Sequence, residues 1–203
     1  MNNNTLPITN DDQLTEKENT NKTLFGFWIY LMSDCVLFAA LFATFIVLRN
    51  NTFGGPSGKD IFSMPYVLVE TILLLTSSFT CGIAMLLIHK QQKKAALYSL
   101  ALTFILGLSF LSLELYEFRQ LVIDGHSWRQ SAFLSSYFTL VGTHGLHITV
   151  GLFWMAVVAF QLFKSGINEG LTKRMGLLSL FWHFLDIIWI FIFSIVYLMG
   201  VLA

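Results

Sequence analysis

The chain has 203 residues, of which 55% are hydrophobic and only 12% charged, whereas an ordinary soluble domain carries roughly 25% charged residues. That balance excludes a typical water-soluble globule and points to the membrane class. A formal net charge of zero, with no polybasic arm, argues against nucleic acid as a partner.

Residues 1–24 are rich in Asn, Thr, Asp, Glu and Lys without an apolar period, which predicts a mobile polar tail. No secretory signal is expected ahead of the first apolar run: a basic start, a short apolar core and a small-residue cleavage site are all missing. That run, Leu24–Leu48, is long enough to cross a bilayer and is expected to stay in place.

Setting the apolar stretches against the ~20 residues needed to cross the hydrocarbon core predicts spans at 25–48, 66–88, 97–118, 135–163 and 176–201. The expected division is a tail at 1–24 and a five-helix membrane domain at 25–203. Turn-forming and charged residues fill the joints: Asn50, Asn51, Gly54, Gly55, Pro56 and Gly58, then His89 to Lys94, Asp124 to Arg129, and Lys164 to Arg174. A transmembrane β-barrel would alternate polar and apolar positions, but these runs are apolar all round. The expected fold is an all-α five-transmembrane-helix bundle. Spans one and two are expected to form one group and spans three to five another, with a lipid-holding cleft between them.

Basic residues set the orientation, because Lys and Arg resist translocation. Lys17, Lys22, Lys90, Lys93, Lys94, Lys164, Lys173 and Arg174 lie on one side, and only Arg49, Lys59, Arg119 and Arg129 on the other. The amino terminus is therefore expected in the cytoplasm and the carboxyl terminus in the periplasm.

Ionisable side chains inside a span are costly and mark functional candidates. They are Asp34, Glu70, Glu114, His144, His147, His183 and Asp186. Counting ~1.5 Å per residue from the edges of the apolar runs, Glu70 and Glu114 fall within ~6 Å of the outer ends and read as water-reached rim residues. Asp34 and His183 fall ~10–14 Å inside the cytoplasmic ends, at matching depth, which leaves a pairing open. His144 and His147 share one helix face, as do His183 and Asp186.

Three readings follow. A b-type haem would need axial histidines on facing helices; His144 and His147 cannot both serve from one helix, and only His183 faces them. Interhelical hydrogen bonding is the second, with Gly142, Gly145 and Gly151 letting a neighbouring helix approach span four. The third is proton relay through Asp34, although no chain of titratable groups connects the two faces. A metal site is disfavoured because no span offers a tight helical ligand pair with supporting groups. Cys35 and Cys81 have no metal or redox spacing and read as small helix residues. Phe25, Phe27, Trp28 and Tyr30 at one end, and Tyr116, Trp128 and Tyr137 at the other, suit interfacial belts.

Five segments carry a resemblance: FGFWIYLMSDCVLFAALF at 25–42, VLVETILLLTSS at 67–78, LELYEF at 113–118, VGTHGLHITVG at 141–151 and LFWHFLDIIWIF at 180–191. With them the chain resembles the subunit III family of haem-copper terminal oxidases over all five spans. Lacking the extra amino-terminal helix pair of longer members, and carrying SDC at 33–35 and GGPSGKDIF at 54–62, it is most similar to the bo-type ubiquinol oxidase branch. Many longer relatives place Glu where this chain has Asp34. The resemblance implies a non-catalytic subunit of a bacterial inner-membrane complex that couples ubiquinol oxidation and oxygen reduction to proton translocation. Haem and copper then belong to the catalytic subunit I beside it, and no cofactor to this chain. Structural phospholipid and support of proton uptake are also implied. A self-sufficient haem-carrying electron-transfer protein and a small transporter are the competing functions; the broken helices or repeated halves common in transporters are not visible.

Overall fold

The structure, a computed structural model, describes residues 10–52, 54 and 64–202. Most of the 54–62 segment and Ala203 lie outside the described residues, as does the start of the polar tail. Five long helices follow one another: α1 Asn10–Leu48, α2 Met64–His89, α3 Lys93–Ile123, α4 Ala132–Ser165 and α5 Glu169–Ile192. α5 continues through a π-helical stretch, Phe193–Leu198, into a last turn, Met199–Leu202.

Each helix contains a stretch long and apolar enough to cross a membrane. The helices outrun the apolar spans, and α1 begins at Asn10, within the polar segment. Hydropathy marks only the part that sits in hydrocarbon. The backbone stays helical beyond it because each N–H and C=O is satisfied within the segment.

Local chemistry sets the ends. Ser131 and Asn168 cap α4 and α5, their side chains accepting from Leu134 N at 3.1 Å and Leu171 N at 2.7 Å. Gly166 ends α4 at φ 74°, the left-handed conformation in which glycine has no Cβ penalty. Between α2 and α3, Gln91 takes φ 58° and Gln92 N donates to Leu87 O at 3.0 Å, turning the chain back within three residues.

That tight joint determines the packing. α2 and α3 form an antiparallel hairpin and share the most extensive contact in the molecule; α4 packs on α3, and α5 closes a four-helix ring by meeting both α4 and α2. α1 lies outside this ring, across α4 and α5, and makes no substantial contact with α2 among the described residues. The expected grouping of spans one and two against three to five is thus corrected. A three-residue turn ties α2 to α3, while the longer joint after α1 leaves that helix free to dock elsewhere.

Small polar residues and indoles hold the ring together. Trp182 Nε1 donates to Ser77 Oγ and Trp189 Nε1 to Thr71 Oγ1, both at 3.1 Å. The Thr80 and Thr103 hydroxyls meet at 2.8 Å, and Ser99 donates to Thr80 O at 2.9 Å. Among transmembrane helices such bonds and close packing must supply the adhesion, since lipid is as apolar as the side chains. Cys81 is part of this core, and Cys35 lies exposed on α1. Tyr116 and Trp128 are exposed as a belt requires, but Tyr137 is fully buried and belongs to the interior.

Candidate functional site: buried polar groups of the bundle

The interior carboxyls come first. Glu70 and Glu114 are 0% and 1% exposed, which overturns their reading as rim residues. α2 and α3 extend outward past both, and both side chains point into the ring. Neither oxygen of either carboxyl has a hydrogen-bond partner among the described residues. Glu114 fits because α4 presents Gly145 to it: a Cβ there would stand 2.8 Å from Glu114 Oε1. Gly151 similarly receives Trp182, and Gly142 faces Phe118 at 3.6 Å. These glycines therefore admit neighbouring side chains into α4, where the sequence suggested close approach of a whole helix.

Glu117 completes the group and was missed by the sequence reading. It interacts electrostatically with Glu70 and Glu114, and its Oε2 accepts from Tyr197 Oη at 3.2 Å. Tyr197 also meets Tyr137 Oη at 3.0 Å. The π-helical stretch carries Tyr197, and its wider turn is a feature often found at functional sites. Spacing held the signal for Glu117, since it stands three residues after Glu114 and so near its face. Because Glu114 has no hydrogen-bond partner among the described residues, Glu114→Met is expected to stabilise the chain by ~1–3 kcal/mol through removal of an unsatisfied buried group. A raised thermal midpoint in detergent checks this, and a lowered one shows that the carboxyl is held.

Asp34 meets His147, with Oδ2 3.5 Å from Nε2. The expected pairing with His183 does not form; that residue instead sets Nδ1 2.6 Å from Ser78 Oγ. His147 Nδ1 lies 2.7 Å from Thr143 O, and since a carbonyl can only accept, the proton on that nitrogen is fixed. Asp34 and His147 therefore face each other between α1 and α4 without a hydrogen bond to Oδ2 among the described residues, walled by Phe38 at 5.2 Å and Phe181 at 6.5 Å from the imidazole centroid.

His144 is fully buried, stacked on Trp189 at 5.4 Å and met edge-on by Phe110 at 6.1 Å and Phe38 at 6.4 Å. Its two ring nitrogens have no hydrogen-bond partner among the described residues. A porphyrin needs an open face beside its axial imidazole, and three aromatic rings take that space. His183 turns toward α2 and pairs with Ser78, so the two histidines do not frame a common cavity. The residues present do not fit a b-type haem. No grouping of three or more His, Cys, Asp or Glu able to hold a metal ion occurs among the described residues. Asp186 and His183 interact electrostatically, as their shared face predicted.

The pattern is a membrane bundle with two separate sets of buried polar groups: the carboxyl–tyrosine cluster within the ring and the Asp34–His147 pair at the α1 contact. The sequence profile of the family described as cytochrome c oxidase subunit III matches residues 16–201. Subunit 3 of the cytochrome bo(3) ubiquinol oxidase of Pseudomonas aeruginosa is 57% identical over 180 residues, covering 89% of this chain and 86% of the relative. Subunit 3 of the quinol oxidase of Bacillus subtilis is 43% identical over 185 residues, 91% of each. A protein of Bacillus sp. strain PS3 named cytochrome c oxidase subunit 3 is 44% identical over 186 residues, 92% of this chain and 89% of that one. With a profile match across nearly all of its length and relatives at 43–57% identity, this five-helix chain belongs to the cytochrome c oxidase subunit III family.

Proposed function

We propose that this chain is the non-catalytic third subunit of a bacterial quinol oxidase, seated beside the haem- and copper-bearing subunit I in the inner membrane. The carrying observation is a closed interior: its histidines are committed to aromatic packing, a hydroxyl and a carboxyl, while its relatives are named as oxidase subunits. Ubiquinol oxidation and oxygen reduction then proceed in the partner chains. The part of this subunit is to stabilise the assembly and support proton uptake, with Asp34, His147 and the Glu70, Glu114 and Glu117 cluster as exchangeable proton holders. His144, His183 and Asp186 are structural. Phospholipid covers the apolar outer faces, with Lys164, Lys173 and Arg174 at headgroup level. Purification through a tag on this chain is expected to recover ubiquinol oxidase activity and haem-bearing partners from solubilised membranes. Recovery of the chain alone overturns the reading.

The amino terminus, including the 1–24 segment, faces the cytoplasm and the carboxyl terminus the periplasm, by the same excess of basic residues on one side. A cysteine replacing Gly58 is expected to react with an impermeant thiol reagent from the periplasmic side, and one replacing Gln92 to be spared. The opposite labelling reverses the orientation.

A further inference from the structure

All four helices of the ring bring a polar or aromatic group to one level of its interior. α2 supplies Glu70, α3 Glu114 and α4 His144, each at most 1% exposed. Trp189 of α5 ties them together: its Nε1 donates to Thr71, the residue after Glu70, and its indole stacks on His144 at 5.4 Å. The same indole meets Phe110, one turn before Glu114, edge-on at 4.6 Å. Gly145, the residue after His144, faces the Glu114 carboxyl, and Glu70 and Glu114 interact electrostatically. Both oxygens of each carboxyl and both nitrogens of the imidazole nevertheless have no hydrogen-bond partner among the described residues.

The balance of donors and acceptors decides what this place takes. An imidazole carries at least one N–H, and each carboxyl presents at least one oxygen that can only accept. A metal cation would serve the oxygens and leave the N–H bare, while an anion would serve the N–H and face two carboxyls. Water donates and accepts, and interiors lined by several polar groups hold ordered water where apolar ones stay dry. Water, unlike a cofactor, needs only a narrow way in. Near the end of α3, Glu117 and Tyr66 are only partly buried, and Glu117 interacts electrostatically with both inner carboxyls. The rings of Phe110 and Phe38 against His144 are apolar and end the polar path there. We propose that the ring interior binds a cluster of water molecules that bridges Glu70, Glu114 and His144 and exchanges with bulk water past Glu117. Confining water costs entropy, so apolar replacement of Glu114 still raises the thermal midpoint while it breaks the cluster. The inference concerns this chain alone and does not depend on the assembly it serves.

The test uses the full chain in the membranes in which it assembles, equilibrated with water enriched in the heavy oxygen isotope and given a synchrotron X-ray pulse. Radicals formed from bound water then oxidise the side chains beside it and leave the isotope there. Trp189 and Trp182 are both buried indoles, but Trp182 lies against Gly107, Gly151 and Ser77 and serves as the control. Isotope incorporation at Trp189 is expected to exceed that at Trp182 about fivefold, and to fall to the level of Trp182 when Glu70→Met and Glu114→Met are combined. Equal labelling of the two indoles in the wild-type chain, or undiminished labelling of Trp189 in the double variant, overturns the proposal. Should the double variant fail to accumulate, a high-resolution density map of the wild-type chain decides. Water density within hydrogen-bond distance of Glu114 and His144 supports the proposal, and its absence overturns it.

Discussion

Gly107→Ala is expected to destabilise the bundle by ~1 kcal/mol even though alanine is the better helix former. The propensity gain is ~1 kcal/mol. Against it, the new Cβ would stand 2.8 and 2.9 Å from Trp182 Cζ2 and Cη2 and 3.1 Å from Leu152 Cδ2. Trp182 cannot easily retreat, because Gly151 of α4 borders its ring and Ser77 holds its Nε1. Overpacking of this kind costs ~1–3 kcal/mol and occasionally more, so the clash outweighs the propensity. Gly176→Ala is the internal control: its Cβ would meet only Met85 Cε at an ordinary 3.6 Å, and a gain of up to ~1 kcal/mol is expected. Thermal unfolding of both variants in the same detergent checks the pair. Equal midpoints would show that Trp182 yields freely.

The second large effect is expected at Asp34. Asp34→Ala removes the carboxyl that faces His147 Nε2 at 3.5 Å in the α1 contact, at a cost of ~1 kcal/mol. Because α1 docks mainly on α4 and α5 among the described residues, this loss falls on a helix with few other anchors, and the yield of assembled complex is expected to drop several-fold. Asp34→Asn keeps a donor for Nε2 while removing the exchangeable proton. It is expected to assemble near the wild-type level and to lose activity progressively during turnover. Initial quinol oxidase rate per haem, assembly yield and activity decay separate the two effects. An Asp34→Asn complex that is fully assembled and haem-replete, yet inactive from the first turnover, would make the residue catalytic.

The legible part of the molecule was whatever depends on polarity along the chain. Five apolar runs gave five helices, and the intramembrane acids and histidines were visible as exceptions within them. Which groups meet was not legible, because pairing depends on how helices neighbour one another in space. Asp34 and His183 stand at matching depth, but α4 brings His147 to Asp34 and α2 brings Ser78 to His183. Glu70 and Glu114 looked peripheral because depth counted along a helix does not say which face a side chain occupies, and both are buried in the ring. Glu117 was overlooked although it sits one turn from Glu114. Tyr137, placed in an interfacial belt by composition, turned inward to meet Tyr197 of the π-helical stretch, a contact between distant helices that composition does not show.

The most direct measurement compares the oxidase purified with and without this chain, by haem content, initial ubiquinol oxidation rate per haem and activity over successive turnovers. A non-catalytic subunit leaves haem content and initial rate within twofold of the intact complex and shortens the active lifetime. Loss of haem in proportion to the missing chain, or a Soret band in the isolated chain that disappears with His183→Ala, would contradict that role.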